Sequence, residues 1–289
     1  MLVASIDHVV VPVSSLLEAA APYERLGLRL TPATQHQGLG TENRAFFVGG
    51  GDDFYVELLG IRDEAEARAA GRTLYLEHRD RGIARLMLEV SDINDAVAKV
   101  ASRGVTTAVE EVRAADGRKL CDVAPIEGVA SLGFALGLVE YPETPAARHA
   151  RRVAAGRFDH AFALKRLDHL AAITPDLEAA TRFFTDALEV PVFGEVKGRG
   201  MIIRQLKMGD AILELLGPDG AESPLHGRAP GIASMCAFEV PDLDASVAAA
   251  RERGFTPGDP ATGVLPGTRV AAIPATELAG VGMQLLEYV

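Results

Sequence analysis

The sequence predicts an α+β fold of four βαβββ units. Two observations carry this. Landmarks of the first half return in the same order in the second: Ile6-Asp7-His8-Val9 with Leu167-Asp168-His169-Leu170, VELLG with LELLG, Gly104 with Gly254, and Glu140 with Glu287. Within each half, one strand–helix–strands pattern occurs twice, so that VSSLLEAAAPYERLG parallels VSDINDAVAKVASRG. The units begin near residues 6, 83, 167 and 233.

Each unit opens on a β-branched run such as IDHVVVPV, which suits a strand. Ser14, Asp92, Asp176 and Asp242 follow these runs as expected helix N-caps. Apolar residues at helical spacing come next, as at Ile93, Val97 and Val100. Gly27, Gly104 and Gly254 suit left-handed C-caps. In RAFFVGGGDDFYVELLG the three glycines lie between two strand-like runs, so they read as a hairpin turn rather than a phosphate cradle. The predicted domains are residues 1–141 and 167–289, with residues 142–166 as a linker. The linker carries Arg148, Arg151, Arg152 and Arg157, read as its solvated face in preference to a phosphate grip.

Composition narrows the partners. The chain has 289 residues, 48% of them hydrophobic, and a mean hydropathy of +0.13, which fits globular domains. A net charge of −11 disfavours nucleic acid and anionic membrane, leaving a small-molecule ligand or substrate. Two distant cysteines, Cys121 and Cys236, suggest a reducing, cytoplasmic setting. The first residues read as a strand, not a signal peptide. No run reaches the ~20 apolar residues of a membrane helix. A monomer, already duplicated within its chain, or a homodimer is expected.

The motifs DHVVVPV, YVELLG, RGIARLMLEVSDI, LDHLAAI, ILELLG and PGIASMCAFEVPDLD, together with HQGLGTENRAFF, resemble the vicinal oxygen chelate superfamily. This family includes glyoxalase I, methylmalonyl-CoA epimerase, bleomycin-resistance proteins and extradiol dioxygenases. The resemblance implies that the units pair into two cupped, barrel-like mixed β-sheets with helices outside, units one and two forming one cup and units three and four the other. It also implies a divalent metal in a cup, held from the first and last strands of the paired units. The repeat register selects the residues to inspect: His8, Glu57, Arg85 and Gly137 in the first cup, and His169, Glu214, Met235 and Gln284 in the second.

Imidazole and carboxylate suit zinc, iron, manganese or nickel, and an amide oxygen is a weaker ligand. The metal is therefore expected in the second cup only, on His169, Glu214 and Gln284, with Glu214 and His169 catalytic. In the first cup Arg85 sets a permanent positive charge where a cation would sit, so His8, Glu57 and Arg85 are assigned to substrate, with Arg85 on Glu57 or on a substrate carboxylate. His36, His78 and His226 read as loop histidines. The expected activity is a metal-assisted isomerase or lyase on a small α-oxygenated carbonyl metabolite. A metal-free binder of the bleomycin-resistance type is the alternative, although no Trp and 6% aromatics predict no stacking groove. Extradiol ring cleavage is a second alternative, which Met235 and Gln284 disfavour.

Overall fold

The computed structural model describes residues 2–289 and shows the βαβββ unit four times. Unit one comprises β1 (Val3–Val13), α1 (Leu16–Leu26), β2 (Thr34–Gln35), β3 (Thr41–Val48) and β4 (Phe54–Ile61). Two short helices, α2 (Glu64–Ala69) and α3 (Thr73–Glu77), lead to unit two. That unit comprises β5 (Arg85–Val90), α4 (Ile93–Ser102), β6 (Glu110–Arg113), β7 (Lys119–Ile126) and β8 (Ala135–Glu140). Helix α5 (Pro145–Ala154) then precedes unit three: β9 (Arg166–Ile173), α6 (Leu177–Ala187), β10 (Val192–Gly198), β11 (Met201–Met208) and β12 (Ala211–Pro218). Unit four comprises β13 (Gly231–Glu239), α7 (Leu243–Glu252), β14 (Ala261–Thr262), β15 (Thr268–Ile273) and β16 (Gly282–Tyr288).

Each pair of units makes one eight-stranded sheet, in the orders β2-β3-β4-β1-β5-β8-β7-β6 and β10-β11-β12-β9-β13-β16-β15-β14. The opening strands β1 and β5 lie antiparallel at the centre, and each pairs in parallel with the last strand of its own unit. Glu57, Val10 and Arg85 therefore stand in one row across three neighbouring strands.

Alternation along the strands sends one set of side chains into the cup and the other into the core. On β1, His8 and Val10 face the cup, while Val9 and Val11 join the core. On β4, Tyr55, Glu57 and Leu59 face the cup, while Phe54, Val56 and Leu58 are core. The two cups share this core: Phe238 of β13 meets Phe46 at 6.4 Å and Phe54 at 6.0 Å, centroid to centroid. Buried Tyr23 of α1 donates its hydroxyl to the Leu278 carbonyl of the other half at 2.7 Å.

The caps follow the sequence signals with one exception. Asp92, Asp176 and Asp242 accept backbone N–H groups of the first turns of α4, α6 and α7. Ser15, not Ser14, caps α1, because Ser14 instead binds Asp80 through its backbone N–H at 2.9 Å. Gly27 ends α1 at φ 101°, a left-handed conformation in which a side chain would be strained.

The arginine cluster departs from expectation. Thr144 and Pro145 start α5 within the predicted linker, and Arg148 and Arg152 are buried rather than solvated. Their i, i+4 spacing puts both on the face that meets the first cup. Arg148 pairs with Glu89 at 2.5 Å and Arg152 with Asp53 at 3.1 Å. No helix among the described residues is long and apolar enough to cross a membrane.

Candidate active site

A cavity of about 410 Å³ opens in the first cup. Its floor is the apolar patch Val10, Leu59 and Met87, with Tyr75 and Tyr141 packed against it. His8, Glu57, Asn43, His36 and Arg85 reach in from the strands, and Arg151, Arg152 and Arg157 from α5 and the segment after it. The walls are aromatic, contrary to the expectation from composition. His8 stacks on Tyr55 at 4.3 Å, Phe47 lies 4.8 Å from Tyr55, and the Arg152 guanidinium sits 4.5 Å from the Phe47 centroid. Few aromatics suffice when four of them, Phe47, Tyr55, Tyr75 and Tyr141, point into one cup. Phe46, Phe184 and Phe238 are core, and Phe183 packs with them.

At the centre lies a chain of buried polar groups. His8 donates Nδ1–H to Asp7 Oδ2 at 2.5 Å, and its Nε2 lies 3.5 Å from Glu57 Oε2. Tyr141 donates its hydroxyl to the same Asp7 oxygen at 2.7 Å, and the Tyr55 hydroxyl lies 3.0 Å from that of Tyr141. Asn43 donates its side-chain amide to Glu57. Burial works against the His8 proton, but the Asp7 and Glu57 carboxylates outweigh it and raise the pKa to about 9. Burial would raise Asp7 and Glu57, yet His8 holds both below the usual carboxylate range, helped by Arg152 at Asp7 and by His36 and Asn43 at Glu57. The resting state is thus an imidazolium between two carboxylates. Burial lowers the His36 pKa, and its Nδ1 lies 2.8 Å from the Thr41 hydroxyl.

Arg85 does not pair with Glu57. It reaches Glu127, in the β7–β8 connection, at 2.5 Å and stacks 5.5 Å from the Tyr75 centroid. Its position supplies no metal donor, so of the four inspected positions the first cup offers only His8 and Glu57, fewer than the three protein ligands a stable site needs.

In the second cup the structure brings His169, Glu214 and Gln284 together. His169 Nδ1 meets Asp168 at 2.8 Å, and Glu214 accepts from Gln205 Nε2 at 3.0 Å. Burial lowers the His169 pKa, but Asp168, Glu214 and Gln284 together raise it. With Nδ1 held by Asp168, the other ring nitrogen is left for the Gln284 side chain, which hydrogen-bonds His169. One imidazole, one carboxylate and one amide fit a weak divalent site. Among the described residues, no group of three or more His, Cys, Asp or Glu is placed to hold a metal ion. His78 binds the Leu74 carbonyl of α3, and His226 the Gly220 carbonyl of its own loop.

Asp7, Tyr141 and their counterparts Asp168 and Tyr288 were legible but not singled out. Tyr288 donates to Asp168 at 2.7 Å, as Tyr141 does to Asp7. The matched pairs Asp7-His8 with Asp168-His169 and Glu140-Tyr141 with Glu287-Tyr288 carry the signal in the sequence.

Residues 6–155 match the model of the Glyoxalase-like domain, and residues 168–271 match that of the Glyoxalase/Bleomycin resistance protein/Dioxygenase superfamily. Mitochondrial methylmalonyl-CoA epimerase of Mus musculus is 35% identical over 91 residues, covering 29% of this chain and 51% of that protein. The Bos taurus enzyme is 33% identical over 98 residues, covering 31% and 55%. The chain thus spans about half the length of the curated relatives it matches. A hypothetical protein from Staphylococcus aureus aligns over 98% of both chains with a TM-score of 0.65 and 12% identity, a likeness of fold alone.

Proposed function

The chain belongs to the glyoxalase/bleomycin resistance protein/dioxygenase superfamily, in two tandem copies, and on that premise we propose that its first cup is an isomerase or lyase site. The substrate is a small α-oxygenated carbonyl compound. The carrying observation is the His8–Glu57 pair inside the 410 Å³ cavity. Glu57, held ionised, is the base that takes a proton from the carbon beside the carbonyl. His8, held protonated by Asp7, stabilises the oxyanion that forms. Tyr141 and Tyr55 support Asp7 and the face of the imidazole. The relatives are named as epimerases, which supports an isomerase reading.

The test is solvent-deuterium incorporation into a panel of α-hydroxy and α-keto compounds, followed by proton NMR. Wild type exchanges at least one compound. Glu57→Gln slows exchange by about 10²-fold or more while ligand affinity stays within about threefold. Ligand binding without exchange by wild type would instead make this a binding protein.

The second cup supports a further reading through the convergence of His169, Glu214 and Gln284. These three would hold a divalent cation of the zinc, iron, manganese or nickel class. Such an ion, when bound, supplies Lewis-acid polarisation of a carbonyl.

A further inference from the structure

We propose that Glu127 is an internal stand-in for the ligand of the first cup, and that the true ligand is a free α-oxygenated carboxylate that displaces it from Arg85. This deepens the assignment above and rests on the first cup being the working site.

The Arg85–Glu127 pair is lopsided. The Arg85 side chain is 6% exposed and that of Glu127 61%. A guanidinium so buried needs an anion at all times, whereas an exposed carboxylate released to water loses little. The pairing is also incomplete: only Nη2 of Arg85 meets Glu127, and Nε is buried with no partner. A carboxylate arriving side-on would take Nε and Nη2 together, the bidentate geometry a guanidinium favours. Glu127 is also free to leave. It lies outside any strand, just after β7, and the next residue, Gly128, turns the chain at φ 74°.

A second cavity of about 220 Å³ adjoins this point. Arg85, Arg72 and Tyr75 line both cavities and form the wall between them, while Glu127 lines only the outer one. Arg85 thus stands between the two cavities, with Glu127 on the side of the second one. Arg72 repeats the pattern, its half-exposed partner Glu110 lying on the outer side.

The cross-strand row sets the rest of the ligand. Arg85 and Glu57 are separated by Val10 alone, two strand spacings or about 10 Å between backbones, and both residues line the main cavity. A carboxylate on Arg85 places its α-carbon toward the Glu57 carboxylate. An ester or amide lacks the charge that Arg85 demands.

The test measures binding of pyruvate, lactate and phenylpyruvate, and of their methyl esters, by calorimetry at fixed pH. Glu127→Gln removes the competitor, so at least one acid binds about three- to tenfold tighter than to wild type. The same variant melts at lower temperature, because Arg85 loses its partner, and that acid restores the loss. Arg85→Lys weakens binding by about tenfold, and in the double variant the gain from Glu127→Gln disappears. Equal or weaker acid binding by Glu127→Gln, no acid binding by that variant, or esters binding as well as acids would each overturn the assignment. The two claims fail separately. Exchange without a Glu127 effect removes only the stand-in, and tighter acid binding without exchange removes only the proton transfer.

Discussion

The two cups keep one network and differ at its edges. In each, an aspartate orients a histidine, a tyrosine supports the aspartate, and a side-chain amide binds the glutamate. The edges diverge by repeat position: Arg85 against Met235, Gly137 against Gln284, and Tyr55 against Ile212. The first cup also receives the buried arginines of α5. The duplication has thus preserved the device that orients an imidazole beside a carboxylate and varied the charge around it. A buried arginine in the first cup stands where the second cup has a methionine, and a glycine where it has a glutamine.

The largest expected effect tests whether the cups stabilise one another. Phe238→Ala removes the ring between Phe46 and Phe54 and costs about 3–5 kcal/mol in urea unfolding. Separate unfolding of the two halves in wild type would break the shared-core comparison.

The next effect is in pH. Folding raises the His8 pKa from 6.5 to about 9, so its stabilisation is complete below about pH 6.5 and is lost as pH rises through about 9. Asp7 and Glu57 are depressed, so their stabilisation is present above the ordinary carboxylate range and is lost on acidification. Wild type therefore loses stability between about pH 6.5 and 9 relative to His8→Gln, which is flatter over that window. Parallel curves for the two proteins would show that His8 is not held protonated.

Smaller still is the tyrosine pair. Tyr141→Phe leaves a buried carboxylate short of a donor and costs about 1–3 kcal/mol. Tyr288 is half exposed, so Tyr288→Phe costs under about 1 kcal/mol, both read by thermal denaturation. Equal costs would mean the first cup is no drier than the second. The smallest effect is metal binding. Zinc raises the melting temperature by a few degrees in wild type and His8→Ala but not in His169→Ala. A shift lost in His8→Ala instead would move the metal to the first cup.

Much of this was legible because strand alternation and the repeat register are local. Once Val10 sits opposite Glu57, the cup-facing set follows by twos, and His8 and Glu57 fall on one face. What escaped depends on partners distant in sequence. The spacing of Arg148 and Arg152 marked one helix face, yet the reason to bury it lies in Glu89 and Asp53, far along the chain. The aromatic wall escaped for the same reason, since composition cannot say that Phe47, Tyr55, Tyr75 and Tyr141 converge. Arg85 met Glu127 rather than Glu57 because a loop carboxylate reached it from outside the cup.

The most direct test of which cup works compares deuterium exchange in Glu57→Gln and Glu214→Gln with the same substrate. Activity lost in the first variant and kept within about threefold in the second is the predicted outcome. Exchange that survives Glu57→Gln and vanishes in Glu214→Gln would place the chemistry in the other cup.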